Sequence, residues 1–249
     1  MNNNNSIRVV VPAAGRSSRS GLDYPKTLYR LNGVPILIKL LRKFQQYDAT
    51  PILIINPAHQ PLFDEVLAEF SMKAEYAYQR ESLGMGHAIL QAGNHVKDNE
   101  HILLVWSDIP FLHANTIDTM VQKHLEGGFD FSFVSAFCDS CYTVVKRENG
   151  KVTALLETRA LGLPPGKGGE RDIGLFIFRK KPLFTVLETK AESTLVNGKP
   201  EYGFLYAVEK LASAGYLVEA FPVALEQDVM SFNTPEELKA IENSPWAVE

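Results

Sequence analysis

The chain has 249 residues, a formal net charge of -4 and an isoelectric point near 5.9. With 45% hydrophobic and 22% charged residues it has the material for a sizeable core, and its acidic balance argues against a surface built to bind nucleic acid or anionic membrane. Any anion site must therefore be local.

The opening tract MNNNN lacks the basic and apolar regions of a signal peptide. No apolar run approaches the ~20 residues of a membrane span. A cytoplasmic protein without membrane partners is the expectation, with residues 1–5 disordered. Cys138 and Cys141 form a C-x-x-C, but the six histidines show no metal-type spacing beside a second cysteine pair. Neither zinc nor redox chemistry is expected of them.

In chain order, Ile7–Val11, Pro51–Ile55, Ala74–Tyr78, His101–Trp106 and Phe131–Ala136 read as strands. Between them, Pro35–Tyr47, Pro61–Met72, Met85–His95 and Asn115–Leu125 carry apolar residues at spacings of three and four, as helices with one buried face do. This alternation predicts a mostly parallel sheet covered by helices. From Tyr142 to Glu157 two short strand-like runs flank Glu148-Asn149-Gly150, a turn sequence that predicts a hairpin. Leu161–Asp172, with paired prolines and several glycines, reads as an irregular loop, after which Ile173–Phe178 resumes the sheet. A helix at Glu201–Ala214, a strand at Tyr216–Val223 and a helix entered through Asn233-Thr234-Pro235 complete the chain.

Ligands of a parallel sheet collect at the carboxyl ends of its strands, so the segments that follow the strands carry the functional reading. Pro12–Lys26 follows the first strand with Gly15 at a sharp turn and Arg16, Arg19 and Lys26 as cations, a composition suited to a polyphosphate. It is neither a Walker loop nor a dinucleotide fingerprint, and a solvated basic loop would look the same. Tyr78–Gly93 places Gln79 at a strand exit and Gly84 and Gly86 around Met85. Glycines there would admit a flat base, and Gln79 offers a donor and an acceptor to its edge; an ordinary helix entry is the alternative. In Leu103–Leu112, Asp108 ends an apolar strand, where a carboxylate needs a partner. A divalent cation is one, the cap of the following helix another.

Taken together, these segments resemble the sugar-1-phosphate nucleotidylyltransferases, most closely the uridylyltransferase domains that act on N-acetylglucosamine 1-phosphate. That family's A-A-G-x-G-T-R-M and P-K match Ala13-Ala14-Gly15-Arg16-Ser17-Ser18-Arg19 and Pro25-Lys26. Its Q-x-x-x-L-G-T-G-H-A matches Gln79 and Leu83-Gly84-Met85-Gly86-His87-Ala88, and its G-D-V-P matches Ser107-Asp108-Ile109-Pro110. The resemblance implies a Rossmann-like three-layer α/β/α fold with a mixed, mostly parallel sheet and a hairpin-containing acceptor subregion, in one nucleotidyltransferase domain over 1–249.

It further implies a Mg2+-dependent transfer of a nucleoside monophosphate from a nucleoside triphosphate, UTP favoured, to a sugar 1-phosphate, with release of pyrophosphate. Arg19 and Lys26 would be catalytic. Ala13, Ala14, Gly15, Arg16, Ser17, Ser18, Gln79, Gly84 and Met85 would bind the nucleotide. Asp108 and Asn233 would hold Mg2+, and Thr143, Glu157 and Asp172 would bind the acceptor. Three positions depart from the pattern: Ser17 replaces the second glycine, Thr143 an acceptor-site glycine and Asp172 an asparagine. The last suggests an acceptor bearing a cation or more hydroxyls. A cytidylyltransferase acting on a phosphocholine- or phosphonate-type compound is thus an alternative, and Ser17 keeps open a catalytically silent nucleotide or sugar sensor. Because the sequence ends at Glu249 without the β-helix acyltransferase of the bifunctional enzymes, a single activity is expected.

Overall fold

Strands that are apolar on both faces have no side to turn to water, and here they form the middle of three layers. The computed structural model describes residues 6–248 except 16, 18, 159–165, 190–192 and 197–198. The expected disorder of residues 1–5 lies outside them.

The first half alternates strand and helix: β1 (Ile7–Pro12), the short β2 (Arg30–Leu31) and β3 (Val34–Pro35), α1 (Ile36–Phe44), β4 (Ile52–Ile55), α2 (Gln60–Glu69), β5 (Glu75–Tyr78), α3 (Met85–Gln91), β6 (His101–Val105) and α4 (Ala114–Gly127). The second half has β7 (Phe131–Cys141), the hairpin β8 (Thr143–Glu148) and β9 (Lys151–Glu157), β10 (Gly166–Arg179), α5 (Lys180–Glu188), β11 (Ser193–Val196), β12 (Lys199–Tyr202), α6 (Ala207–Ser213), β13 (Val218–Phe221) and α7 (Pro235–Glu242).

Seven strands form the main sheet in the order β13-β7-β10-β6-β1-β4-β5. All neighbours pair parallel except β10, which runs antiparallel to β6 and β7. From β1 the chain proceeds outward to β4 and β5, then returns to place β6 on the other side of β1. The crevice at the carboxyl ends of β1 and β6 is therefore the topological switch point, where open α/β sheets bind their ligands.

Alternate residues of each strand serve opposite layers. Val9, Val11, Leu103, Val105, Leu175 and Ile177 pack with α1, α2, α4 and α7. Val10, Ile102, Leu104, Phe176 and Phe178 pack with α3, α5 and α6. In that second layer Phe176 and Phe204 meet Trp106, and Phe131 packs on those two phenylalanines. The α/β/α reading holds. So does the hairpin turn, in which Asn149 (φ 50°) and Gly150 (φ 80°) take the left-handed conformation that suits a tight turn.

Three expectations are corrected. The part of Leu161–Asp172 from Gly166 on is strand rather than loop, because β10 begins there and pairs with a β7 that continues to Cys141, while residues 161–165 lie outside the described residues. Its glycines permit irregular strand geometry, with φ of 65° at Gly168, 142° at Gly169 and 85° at Gly174. The helix expected over Glu201–Ala214 starts only at Ala207, because the preceding residues are drawn into an extended path. There the Tyr202 amide donates to the Leu83 carbonyl at 2.7 Å. Finally, Cys138 and Cys141, of which neither zinc nor redox chemistry is expected, are joined in a disulfide near the end of β7, with Cα atoms 6.3 Å apart.

Candidate active site

Three groups of residues stand along one end of the sheet. At the switch point, the loop leaving β1 brings Lys26 beneath the loop leaving β6. The Lys26 Nζ donates to Asp108 Oδ2 at 2.5 Å, to the Phe232 carbonyl at 2.9 Å and to Asn233 Oδ1 at 3.0 Å. Arg19 donates to the same Asn233 oxygen at 3.3 Å. The alternative role for Asp108, capping the next helix, is filled by His113, whose Nδ1 accepts from the Asn115 amide at 3.1 Å. Asn233 is equally free of capping duty. Thr234 caps α7 in a reciprocal box with Glu237, and Pro235 occupies the first turn.

The loop from Ala13 to Lys26 is shaped by Ser17. Its φ of 53° puts it in the left-handed region, which ordinary L-residues avoid. Gly15 has no such angle, so the bend expected of it falls two residues later. Local bonds offset the strain: the Ser17 hydroxyl accepts from the Lys26 amide at 2.8 Å, and the Ser17 carbonyl accepts from the Ser20 amide and hydroxyl at 2.9 and 2.7 Å. Position 17 is where the resembling family has glycine, and the conformation explains that preference. Ala13 and Ala14 are buried behind the loop, and Arg16 and Ser18 lie outside the described residues.

Beyond β5, Gln79 is only 4% exposed. Its Nε2 donates to the Gly84 carbonyl at 3.0 Å and lies 3.0 Å from His87 Nδ1. Gly84 has φ of 98°, which requires glycine, and Met85 begins α3. The idea that Gly86 also makes room for a base is corrected: a Cβ there would lie 2.1 Å from the Gly203 carbonyl oxygen. Gly86 is small so that β12 and its continuation can pack on α3.

On the far side of the switch point, the Asp172 carboxylate is held by the Thr143 hydroxyl at 2.6 Å and the Gly174 amide at 2.9 Å. Burial pushes this carboxyl above the usual range, while those two bonds pull in the other direction. Thr143 is the cross-strand partner of Glu157, whose side chain is exposed at the end of β9. Gly174 ties this group to the centre, since its carbonyl accepts from the Trp106 amide at 2.8 Å and the Trp106 ring leaves no room for a Cβ. Arg147 anchors the hairpin. It bonds Glu170 of β10 at 2.8 Å and Glu219 of β13 at 2.7 Å.

Across the sheet edge, then, come Gln79 and Gly84 at β5, Ser17 and Lys26 after β1, Asp108 after β6, and Asp172 with Thr143 at β10. A family model described as the MobA-like NTP transferase domain matches residues 9–159, a span holding the first two groups, Asp108 and the hairpin. The chain belongs to the MobA-like NTP transferase family.

The chain is 27% identical over 228 residues to the bifunctional protein GlmU of Carboxydothermus hydrogenoformans, a match covering 90% of the chain and 49% of the relative. The chain thus spans about half the length of that curated relative. Among solved structures it superposes on the inositol-1-phosphate CTP transferase from T. maritima with a TM-score of 0.69 at 14% identity, covering 100% of the chain and 97% of the neighbour. A Bacillus anthracis protein assigned as a glucose-1-phosphate thymidylyltransferase, solved in complex with sucrose, gives 0.72 at 15%, covering 95% and 94%. These two show the fold.

Phe232 is invisible to sequence reasoning, because its oxygen at the site is a backbone carbonyl, which any residue supplies. The sequence pattern marks Trp106 only as the end of a strand. Among the described residues no group of three or more His, Cys, Asp or Glu side chains converges as a metal cage, and no helix is long and apolar enough to cross a membrane.

Proposed function

We propose that the chain is a single nucleotidyltransferase domain that transfers a nucleoside monophosphate from a nucleoside triphosphate, UTP favoured, to a sugar 1-phosphate, with Mg2+ as cofactor. The observation that carries this reading is the convergence of Lys26, Asp108 and Asn233 at the switch point, with Gln79 and Gly84 on one side and Thr143 and Asp172 on the other. That order suits a substrate laid along the sheet edge with its base at β5, its phosphates at β1 and β6, and its acceptor at β10.

The oxygens of Asp108, Asn233 and Phe232 suit Mg2+, which favours hard oxygen donors and one or two carboxylates. When bound, the ion would supply electrostatic stabilisation of phosphoryl charge. The chain's own residues do the rest. The Ser17 turn fixes the root of Lys26, and the Lys26 ammonium and the Arg19 guanidinium offset the repulsion between an anionic acceptor and the triphosphate. An acceptor phosphate oxygen attacks the α-phosphorus in line; the bond to the bridging oxygen breaks and its electron pair leaves with pyrophosphate. No protein nucleophile or general base is required, because the acceptor oxygen is already anionic.

Asp172 is buried and its carboxylate is held by Thr143 and the Gly174 amide, a structural role that accounts for it without a cationic acceptor. The silent-sensor reading rested on Ser17, which keeps the left-handed turn. The test is pyrophosphate release over a grid of nucleoside triphosphates and phosphorylated acceptors with Mg2+. Turnover with UTP and a sugar 1-phosphate is expected. Failure of every pair would overturn the enzyme reading, and preference for CTP with a non-sugar phosphate would replace the substrate assignment.

A further inference from the structure

The C-x-x-C of Cys138 and Cys141 takes no part in the chemistry proposed above, yet it adjoins the residues at the acceptor end of the sheet. Tyr142 follows the disulfide directly, and its carbonyl accepts from the Thr158 amide at 2.9 Å and the Thr158 hydroxyl at 3.0 Å, which ties the entry of β8 to the exit of β9. Thr143 comes next and holds Asp172. We infer that Cys138 and Cys141 form a redox-active pair that undergoes thiol–disulfide exchange with an external dithiol while the chain stays folded, and that the state of the pair sets how firmly Tyr142 and Thr143 are held. The acceptor role of Thr143 and Asp172 rests on the reading above, whereas the exchange itself does not.

The position of the pair distinguishes it from a staple on which the fold depends. Closing a loop across two intervening residues restrains the unfolded chain less than closing a long one. Both cysteines are also placed by the main sheet, through the cross-strand pairs of Cys138 with Gly169 and Cys141 with Gly166. What the crosslink sets is local shape. A regular strand rises roughly 10 Å over three residues, but these two Cα atoms lie 6.3 Å apart, so the end of β7 is held in a bend. Opposite it, Gly168 and Gly169 take φ of 65° and 142°, conformations that let β10 follow a bent partner.

The two sulfurs differ in access. Cys138 is half-buried, and Asp139 and Ser140 beside it are exposed. Phe137 and Tyr142, which flank the pair, are the most open large apolar side chains among the described residues, at 74% and 60% exposed. Cys141 is fully buried. An incoming thiolate therefore attacks Cys138 Sγ, and the S–S bond breaks toward Cys141 Sγ, which takes up a proton. The Cys138 and Gly169 carbonyl oxygens, each 3.6 Å from the Cys141 sulfur, are in place to accept its new S–H. The second thiol of the dithiol then attacks the mixed disulfide, releases Cys138 as a thiol and departs as part of a disulfide. Two electrons and two protons pass from the dithiol to the pair, and the buried sulfur has local partners in either state.

The test uses the full chain, with oxidised glutathione to close the pair and dithiothreitol to open it. Cys138 and Cys141 are the only cysteines in the sequence, so iodoacetamide labelling read by mass spectrometry reports on them alone. The oxidised protein should take no label and the dithiothreitol-treated protein two, with the far-ultraviolet circular dichroism unchanged. On reduction the Thr158 amide should exchange with solvent at least tenfold faster, while the amides of β1 and β4 keep their rates. The double variant Cys138→Ser, Cys141→Ser should show the fast Thr158 exchange under both conditions. Labelling that needs denaturant would overturn the inference, as would a Thr158 rate indifferent to reduction or a double variant protected like the oxidised chain. None of these measurements involves a nucleotide or an acceptor, so this inference and the turnover reading can each fail without the other.

Discussion

Replacing Ser17 separates two effects that the wild-type residue combines. Its left-handed φ of 53° carries a cost of roughly 1–2 kcal/mol for any residue with a Cβ. Its hydroxyl accepts the Lys26 amide at 2.8 Å, a bond contributing about 1 kcal/mol. Ser17→Ala keeps the strain and loses the bond, so it should be less stable by about 1 kcal/mol. For a chain of this size that corresponds to a fall in Tm of roughly 2–4 °C. Ser17→Gly also loses the bond and adds about 0.4–1 kcal/mol of unfolded-state freedom, but the strain disappears. The glycine variant should therefore stay within about 1 kcal/mol of the wild type and above the alanine variant. Thermal and urea unfolding of the three proteins measure the order directly. If Ser17→Ala proves as stable as Ser17→Gly, the turn is not strained in the manner argued, and the explanation for glycine at this position in the family fails.

Three other outcomes are expected. His101 and His124 are buried side by side, Nδ1 to Nε2 at 3.0 Å, and burial brings His124 down to about 3. Between pH ~6.5 and that value the unfolded chain binds a proton the folded chain refuses, so stability should fall with decreasing pH by up to ~1.4 kcal/mol per unit; a urea midpoint that does not move from pH 6.5 to 4.5 would contradict this. Gly86→Ala puts a methyl group 2.1 Å from the Gly203 carbonyl oxygen, so it should lower stability by about 1–3 kcal/mol, and an unchanged Tm would show that the contact is dispensable. Arg147→Met leaves Glu170 buried without its cation; burial alone would raise that carboxyl, and the Arg147 and Ser135 bonds now hold it below its usual range. The variant should lose about 2–3 kcal/mol and loosen amide protection in the hairpin strands, and unaltered hydrogen exchange there would refute the anchoring role.

Much of the candidate site was legible in the sequence because its chemistry is carried by side chains at strand ends. Asp108 stood out as a carboxylate closing an apolar run, and Gln79, Gly84 and Lys26 stood in loops directly after strands. Less legible were features made by contact between distant segments. That the cation of the β1 loop sits on the carboxylate of the β6 loop depends on a crossover that periodicity does not reveal. The pattern around Gly86 suits an opening for a ligand, whereas the chain at Gly203 packs against it.

By itself, then, the sequence determined the alternation of strand and helix, the hairpin at Asn149-Gly150 and the residue types available for phosphate and metal chemistry, because hydrophobic period and turn preference are local properties. Only the tertiary structure decided that glycine-rich 166–172 is strand, that 201–202 is strand rather than helix, and that Lys26, Asp108 and Asn233 share one point. Those outcomes depend on which backbone edge or side chain arrives from elsewhere in the chain, and no local pattern encodes that arrival.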